Sequence, residues 1–365
     1  MHMNRLNRLT QRVADSGLDV LALVPGPNLF YLTGLSFHLS ERPVVALFPA
    51  HGHPAIVVPA FEAVKVDHTD VELGVHAYTD EEGHASAFKR ACESLSLNRC
   101  VIGVEPLHMR VIEVQLLERF APQCPLVAAD DVLAALRMCK DEHELALMRR
   151  AIAVTETALK TTMQQARPGM TERELAGLLM AQMLRSGGEG MAFPPIVVAG
   201  PNAASPHAVP SDRPIQSSET IVVDCGTVVG GYPADITRTF AIGELDPELS
   251  HVYEVVRAAN VAGRAAAGPG VPAEGVDRAA RAVIEEAGYG EYFTHRTGHG
   301  LGLEVHEPPY IVAGNRLLLE SGMTFTVEPG IYLPGRGGVR IEDDVLVTSD
   351  GAESLTTFPR ELVLV

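Results

Sequence analysis

The chain has 365 residues, enough for two domains of ordinary size and a substantial core. Its 29 Lys plus Arg against 46 Asp plus Glu give a formal charge of −17, which argues against nucleic acid as a partner. No apolar run approaches the ~20 residues of a membrane span, and five scattered cysteines without a C-x-x-C pair read as reduced thiols rather than a disulfide framework or zinc knuckle.

In chain order, Leu6 to Ser16 has helical spacing and ends at Gly17. This opening stretch is charged and amphipathic with no small-residue cleavage site, so no signal peptide is expected and a cytoplasmic location is. DVLALV (Asp19 to Val24) reads as a buried strand closed by PGPN. VVALFPA and AIVVPA flank the turn HGHP and predict a hairpin or adjacent strands, and CVIGVE (Cys100 to Glu105) predicts another strand. Strands alternating with helices imply an α/β layer domain. Neither G-x-G-x-x-G nor a Walker pattern follows a strand there.

From Asp130 to about Arg167 the pattern becomes one long helical region. The junction is placed near Arg137 to Asp141, dividing the chain into domains 1–135 and 136–365. Thr171 to Glu174 (TERE) is a capping box opening a second helix that stops at Gly187-Gly188. Strand-like FPPIVVAG, TIVVDCGTVV and YPADITRTFAIG follow. Asp246-Pro247 then caps and starts a third helix, and a fourth runs from roughly Ala273 to Ala287 before Gly288. Strands return in RTGHGLGLEVHEPP, MTFTVEPGIYL and GVRIEDDVLVTS. Two helices then strands, twice over, predict two similar halves with a site between them.

Taken singly, an Asp or a His is more often a turn, edge or packing residue than a ligand. Asp224 nevertheless lies inside an apolar strand run, where a carboxylate is costly unless paired or metal-bound. Asp235 follows past Gly230-Gly231, a hairpin turn able to bring both acids to one face. Glu328 ends another apolar strand, and Arg340 and Glu342, two residues apart, share a strand face. With His299 these make five potential ligands, and four carboxylates call for two divalent ions where one would leave excess buried negative charge. Arg340 would either orient these carboxylates or meet a substrate group, or else is simply the salt-bridge partner of Glu342. Cys225 should point to the opposite strand face from Asp224.

The motifs VDCG, ADITRT, GHGLGLEVHE, EPGIY and RIEDD, preceded by LRMCKDEHELALMRRA and FPPIVVAGPNAASPHA, resemble the creatinase/aminopeptidase family of metallopeptidases in its Xaa-Pro form. The resemblance spans the whole chain. It implies an α/β N-terminal creatinase-like domain and an α+β pita-bread catalytic domain of pseudo-two-fold symmetry, with helices packed on a curved antiparallel sheet. It further implies Asp224 as a bidentate ligand of one ion, Asp235 and Glu342 as bridges between both ions, and His299 and Glu328 as the ligands that complete the coordination of the second ion. A water or hydroxide held between the ions would be the nucleophile, with Glu328 accepting its proton. His207 and His306 would contact the substrate or the tetrahedral intermediate, with His295 in a further histidine position. Tyr-Pro-Ala-Asp (Tyr232 to Asp235) departs from the family's usual Tyr-Cys/Ser-Ser-Asp; Pro233, lacking an N–H, suits an edge or bulge.

The activity implied is hydrolysis of the amide bond before proline, first as a prolidase (Xaa-Pro dipeptidase), alternatively as an aminopeptidase P, remotely as a non-catalytic binding protein. Manganese is the expected metal, with cobalt or zinc able to substitute. The implied substrate is an Xaa-Pro dipeptide or short proline-containing peptide, and a homodimer is implied as well. The Ser36–Pro43 loop and Arg316 are candidate gates or anchors.

Overall fold

A computed structural model describes residues 2–365. The chain separates between Arg137 and Met138 into two compact units. Among the described residues, no helix is long and apolar enough to cross a membrane.

The N-terminal unit is built on a six-stranded mixed sheet in the order Gly74–Tyr78, Ala55–Pro59, Val45–Pro49, Val20–Leu23, Ile102–Val104, Leu126–Ala128. The Val45–Pro49 and Ala55–Pro59 strands form the expected hairpin. Val20–Leu23 is buried at every position, as its unbroken apolar run requires for a central strand covered on both faces. The first helix, His2–Asp15, buries Leu9 and Val13, one turn apart on its apolar stripe.

The helical region after Asp130 is two helices, Asp130–Arg137 and Glu142–Gln165, not the single run expected from the sequence. The break has a local cause. Asp141 accepts from Glu144 N at 2.9 Å, and the Glu144 side chain accepts from Asp141 N at 2.8 Å. That reciprocal pair satisfies two end donors of the second helix and fixes its start. Thr171 and Glu174 repeat the device at Glu172–Arg185, and Asp246 with Pro247 opens Pro247–Ala266.

The C-terminal unit repeats one order. Helices Glu142–Gln165 and Glu172–Arg185 precede the antiparallel sheet Ile236–Ala241, Thr220–Cys225, Ile196–Ala199. Helices Pro247–Ala266 and Ala273–Glu286 precede the sheet Glu307–Ile311, Gly298–Gly300, Thr324–Val327, Asp343–Val347, Ala352–Ser354 and the Gly330–Leu333/Gly337–Arg340 pair. In the first half Leu159, Leu175 and Leu179 pack on Val223, Cys225 and Ile236, all essentially inaccessible. Each such side chain is worth roughly 1.5–3 kcal/mol of burial. In the second half Ala273 and Val276 pack on Phe325 and Val327.

Candidate metal centre

Two β-ribbons carry the acids, and their registers decide which residues share a face. In the first ribbon Asp224 pairs with Thr237, Cys225 with Ile236, and Val229 with Tyr232 around the turn. Gly230 and Gly231 both have positive φ, 58° and 85°, as a two-residue type I′ turn demands. The same register sets Asp235 opposite Gly226. Residues opposite one another, and residues two apart, lie on one face, so Asp224, Asp235 and Thr237 point the same way. Cys225 points the other way, into the core. Gly226 is obligatory, because a Cβ there would sit 1.8 Å from the Ala234 carbonyl oxygen. Pro233 occupies the short Tyr232–Pro233 edge strand, where its missing N–H costs nothing.

In the second ribbon Val327 pairs with Asp343 and Gly330 with Arg340. Both pairs belong to one register, which sets Glu328 opposite Glu342 and puts Arg340 on their face. The two ribbons meet there. Thr237 Oγ1 donates to Glu342 Oε2 at 2.6 Å, and Asp235 N donates to Asp344 Oδ2 at 3.3 Å. His299 arrives from the neighbouring Gly298–Gly300 strand, its Nε2 3.3 Å from Glu328 Oε1 and 3.8 Å from Asp235 Oδ2.

The glycines around His299 allow this approach. A Cβ on Gly298 would lie 1.8 Å from Thr326 O, and one on Gly300 2.2 Å from Pro308 O. On Gly302 it would meet the Glu307 carboxylate at 2.3 Å. Small residues therefore let three backbone segments close on one imidazole.

Arg340 differs in part from expectation. Its guanidinium pairs with Asp224 Oδ2 at 2.7 Å, not with Glu342. Same-face neighbours on one strand stand roughly 6.6 Å apart and nearly parallel, whereas the facing ribbon presents Asp224 end-on. Arg340 also donates to Tyr332 Oη (2.9 Å), Thr237 Oγ1 (3.1 Å) and Pro206 O (3.2 Å), the last beside His207. Tyr332 Oη in turn lies 2.8 Å from His295 Nε2, while the Tyr232 hydroxyl goes instead to Glu144.

Burial pushes the Asp224, Asp235 and Glu342 carboxyls above the ordinary carboxylate range, and facing carboxylates push the same way. The Arg340 guanidinium pulls Asp224 and Glu342 back down in part. Such a cluster is unfavourable without a positive partner. Three observations fit a divalent cation as that partner. Asp224 Oδ1 is buried and accepts no hydrogen bond. His299 Nδ1 is 3.2 Å from Gly300 O, so a neutral ring donates there and turns its Nε2 lone pair toward two carboxylates. The donor atoms of Asp224, Asp235 and Glu342, and separately of His299, Glu328 and Glu342, lie within 4.8 Å of one another. Asp235, His299 and His306 form a further such group, and the two triads that share Glu342 contain all five expected ligands.

A cleft of about 800 Å3 opens over these acids. His207, His295, His306, Arg296, Phe193 and Val305 line it with them. The His299 and His306 rings stand edge to face, 4.0 Å between centroids. Arg316 is exposed and does not line the cleft. The Ser36–Pro43 loop belongs to the N-terminal unit, where Arg42 Nε pairs with Asp80 at 2.8 Å.

Two features escape the sequence pattern. Arg296 stacks 4.6 Å above the Tyr310 ring and, among the described residues, pairs with no carboxylate. Its position beside His295 in HRTGHG was the one available signal. Lys140 Nζ forms a buried ion pair with Glu307 Oε1 at 2.7 Å, linking residues far apart in sequence.

Comparison with known proteins places the chain in a family. Residues 146–349 match the model of metallopeptidase family M24. The chain belongs to that family. Residues 5–139 match the creatinase/prolidase N-terminal domain. A Mycobacterium tuberculosis protein named "Probable dipeptidase PepE" is 40% identical over 372 residues, covering 100% of this chain and 97% of the relative. An Xaa-Pro dipeptidase from Lactobacillus helveticus is 35% identical, covering 99% and 98%. The crystal structure of a recombinant prolidase from Thermococcus sibiricus superposes with a TM-score of 0.95 at 33% identity, covering 100% and 99%. This M24 chain is thus a metallopeptidase with a creatinase-type N-terminal domain and a pita-bread catalytic domain.

Proposed function

We propose that this protein is an Xaa-Pro dipeptidase using two divalent ions, with manganese the first choice, and that it acts in the cytoplasm as a homodimer. The reading divides it into an N-terminal domain, 1–135, and a catalytic domain, 136–365. One observation carries it most: a hydrogen-bond-free buried Asp224 oxygen, three further acids and one imidazole nitrogen converge under a single cleft. Asp224, Asp235, His299, Glu328 and Glu342 would hold the ions, with Glu342 common to both triads. Bound there, divalent ions supply polarisation of the scissile carbonyl and activation of water.

The chain's own residues supply the rest. Glu328, on the cleft wall beside His299, accepts the proton of the attacking water and passes it toward the leaving nitrogen. His306 and His207 line the cleft where ring nitrogens can donate to the oxygen that gains charge. Arg340 fixes Asp224 and, through Pro206 O, steadies the segment bearing His207. An amide before proline has no N–H to offer, so recognition falls to shape, for which Phe193, Ile196 and Val305 provide apolar walls.

The preference for dipeptides over longer peptides is supported by Arg296, a guanidinium in the same cleft that pairs with no carboxylate among the described residues and is suited to an anionic end of a short substrate. The names of the relatives point the same way. The test compares an Xaa-Pro dipeptide with Xaa-Pro tri- and tetrapeptides under added manganese. The dipeptide is expected to have the higher kcat/KM by about tenfold or more. Preference for the longer peptides makes the protein an aminopeptidase P, and no hydrolysis of any of them under added manganese, cobalt or zinc refutes the enzyme reading.

A further inference from the structure

The N-terminal unit holds three cysteines that the peptidase reading leaves unused: Cys92, Cys100 and Cys124. Two of them are register-matched. The parallel strands Ile102–Val104 and Leu126–Ala128 pair Ile102 with Leu126. Cys100 and Cys124 each lie two residues before these partners, in the segments that lead into the two strands. The pairing persists in the segments before the strands. Cys100 N donates to Cys124 Sγ at 3.4 Å, and one residue earlier Arg99 Nε reaches Gln123 Oε1 at 3.4 Å. The Cys124 sulfur therefore lies against the backbone of Cys100 and within reach of its side chain.

Their environments differ in a way that suits sequential chemistry. Cys100 is partly exposed, and its thiol donates only weakly, to Asn98 O at 3.5 Å. Cys124 is buried. Burial raises its thiol, and the adjacent Cys100 side chain raises it further, against a smaller opposing pull from the backbone N–H groups of Cys100 and Arg99. Cys92, on the Ala85–Ser94 helix, is in the core, and burial pushes its thiol up to about 11, which leaves it inert.

We propose that Cys100 and Cys124 are a peroxide-responsive dithiol that closes to a disulfide. Hydrogen peroxide transfers one oxygen to the Cys100 sulfur, giving the sulfenic acid and one water. The Cys124 sulfur then attacks the Cys100 sulfur; the S–S bond forms, the S–O bond breaks, and the oxygen leaves as a second water with the Cys124 proton. Overall two thiols are oxidised by two electrons and one peroxide is reduced to two waters. The bond ties together the entries of two parallel strands, at the point where Arg99 holds a left-handed φ of 57°. It stabilises the unit by constraining the unfolded chain, so the oxidised protein unfolds at a higher temperature.

The test treats the folded, full-length protein with hydrogen peroxide, blocks remaining thiols and maps tryptic peptides without reduction. Cleavage after Arg90, Arg99, Arg110, Arg119 and Arg137 puts the three cysteines on separate peptides, 91–99, 100–110 and 120–137. The expected product joins 100–110 to 120–137, exceeding any other cysteine pair by about tenfold, and dithiothreitol reverses it. Cys92→Ser retains the link; Cys124→Ser loses it and leaves Cys100 as the sulfenic acid, trapped by dimedone. A dominant 91–99 to 120–137 link, a Cys100–Cys100 link between two molecules, or unlinked sulfinic acid at Cys100 overturns the proposal. The wild-type map decides even where a variant fails to fold.

Discussion

Replacing Lys140 by Met tests how the His306 segment is held. Lys140 Nζ and Glu307 Oε1 are 2.7 Å apart, with side chains 1% and 4% accessible, so water screens neither charge. Removing one partner of such a pair strands a buried carboxylate and costs about 3–5 kcal/mol. At about 2–4 °C per kcal/mol for a domain of this size, the melting temperature falls by roughly 6–20 °C. Replacing both residues with Met removes both charges together and recovers most of that loss. The Gly302–His306 turn lies against the Glu307 carboxylate, close enough that any Cβ on Gly302 would collide with it. Turnover by Lys140→Met, measured well below its melting point, is therefore expected to drop about 10- to 100-fold as His306 loses its placement, while bound metal stays at the wild-type level. Calorimetry of wild type, both single variants and the double variant closes the cycle. A Lys140→Met melting point within 2 °C of wild type, or a double variant no more stable than either single one, refutes the reasoning.

Asp235→Asn removes one acid from the first triad; hydrolysis is expected to vanish and metal stoichiometry to fall while the fold survives, and near-normal turnover contradicts the two-ion reading. His306→Ala is expected to leave metal content intact but slow kcat by ~10²-fold or more; a drop in bound metal assigns His306 to the ions instead. The raised carboxyls of Asp224, Asp235 and Glu342 give a pH signature. Groups that hold protons more tightly when folded stabilise the metal-free protein fully below the ordinary carboxylate range and lose that stabilisation as pH rises through their folded values. Divalent ions offset the loss, so the melting gap between metal-loaded and chelator-stripped protein should widen from about pH 5 to pH 8. A gap that narrows over that range refutes it. Gly298→Ala places a methyl 1.8 Å from a backbone oxygen that cannot rotate away; a loss of at least ~2 kcal/mol is expected in denaturant unfolding.

Local chemistry was readable where its cause is local. Thr171 and Asp246 mark helix starts through side chains that bond two or three residues ahead, and Gly230-Gly231 marks the hairpin through its φ angles. The Asp141 signal was present yet outweighed by the continuous helical period on either side of it. Period alone cannot see a break made by one capping side chain, which Lys140 N, donating to Gly322 O at 2.8 Å, then reinforces. The acids were legible individually, because each interrupts an apolar strand. Their partners were not. Which carboxylate Arg340 meets depends on how two ribbons face each other, and nothing in VRIEDD encodes the distance to Asp224. Arg296 was passed over because one arginine among polar residues has no period or spacing to distinguish it; only the cleft does.

The Arg340–Asp224 pair also changes the charge argument for the centre. Four carboxylates alone would be neutralised by two divalent ions, leaving the site indifferent to anions. With the Arg340 guanidinium buried among them, the proposed centre carries one net positive charge when both ions are present. Amide hydrolysis develops one negative charge on the carbonyl oxygen while the proton of the water passes to Glu328, so the net charge is unchanged and the surplus positive charge beside the new oxyanion favours the tetrahedral species. Arg340→Met then has a consequence beyond loosening Asp224. It removes the surplus charge, so kcat falls with little change in KM, and a lysine at the same place, keeping the charge but not the four-way hydrogen bonding, restores part of kcat. If the lysine variant is as slow as the methionine one, the hydrogen bonds to Asp224, Tyr332, Thr237 and Pro206 carry the effect and the charge does not.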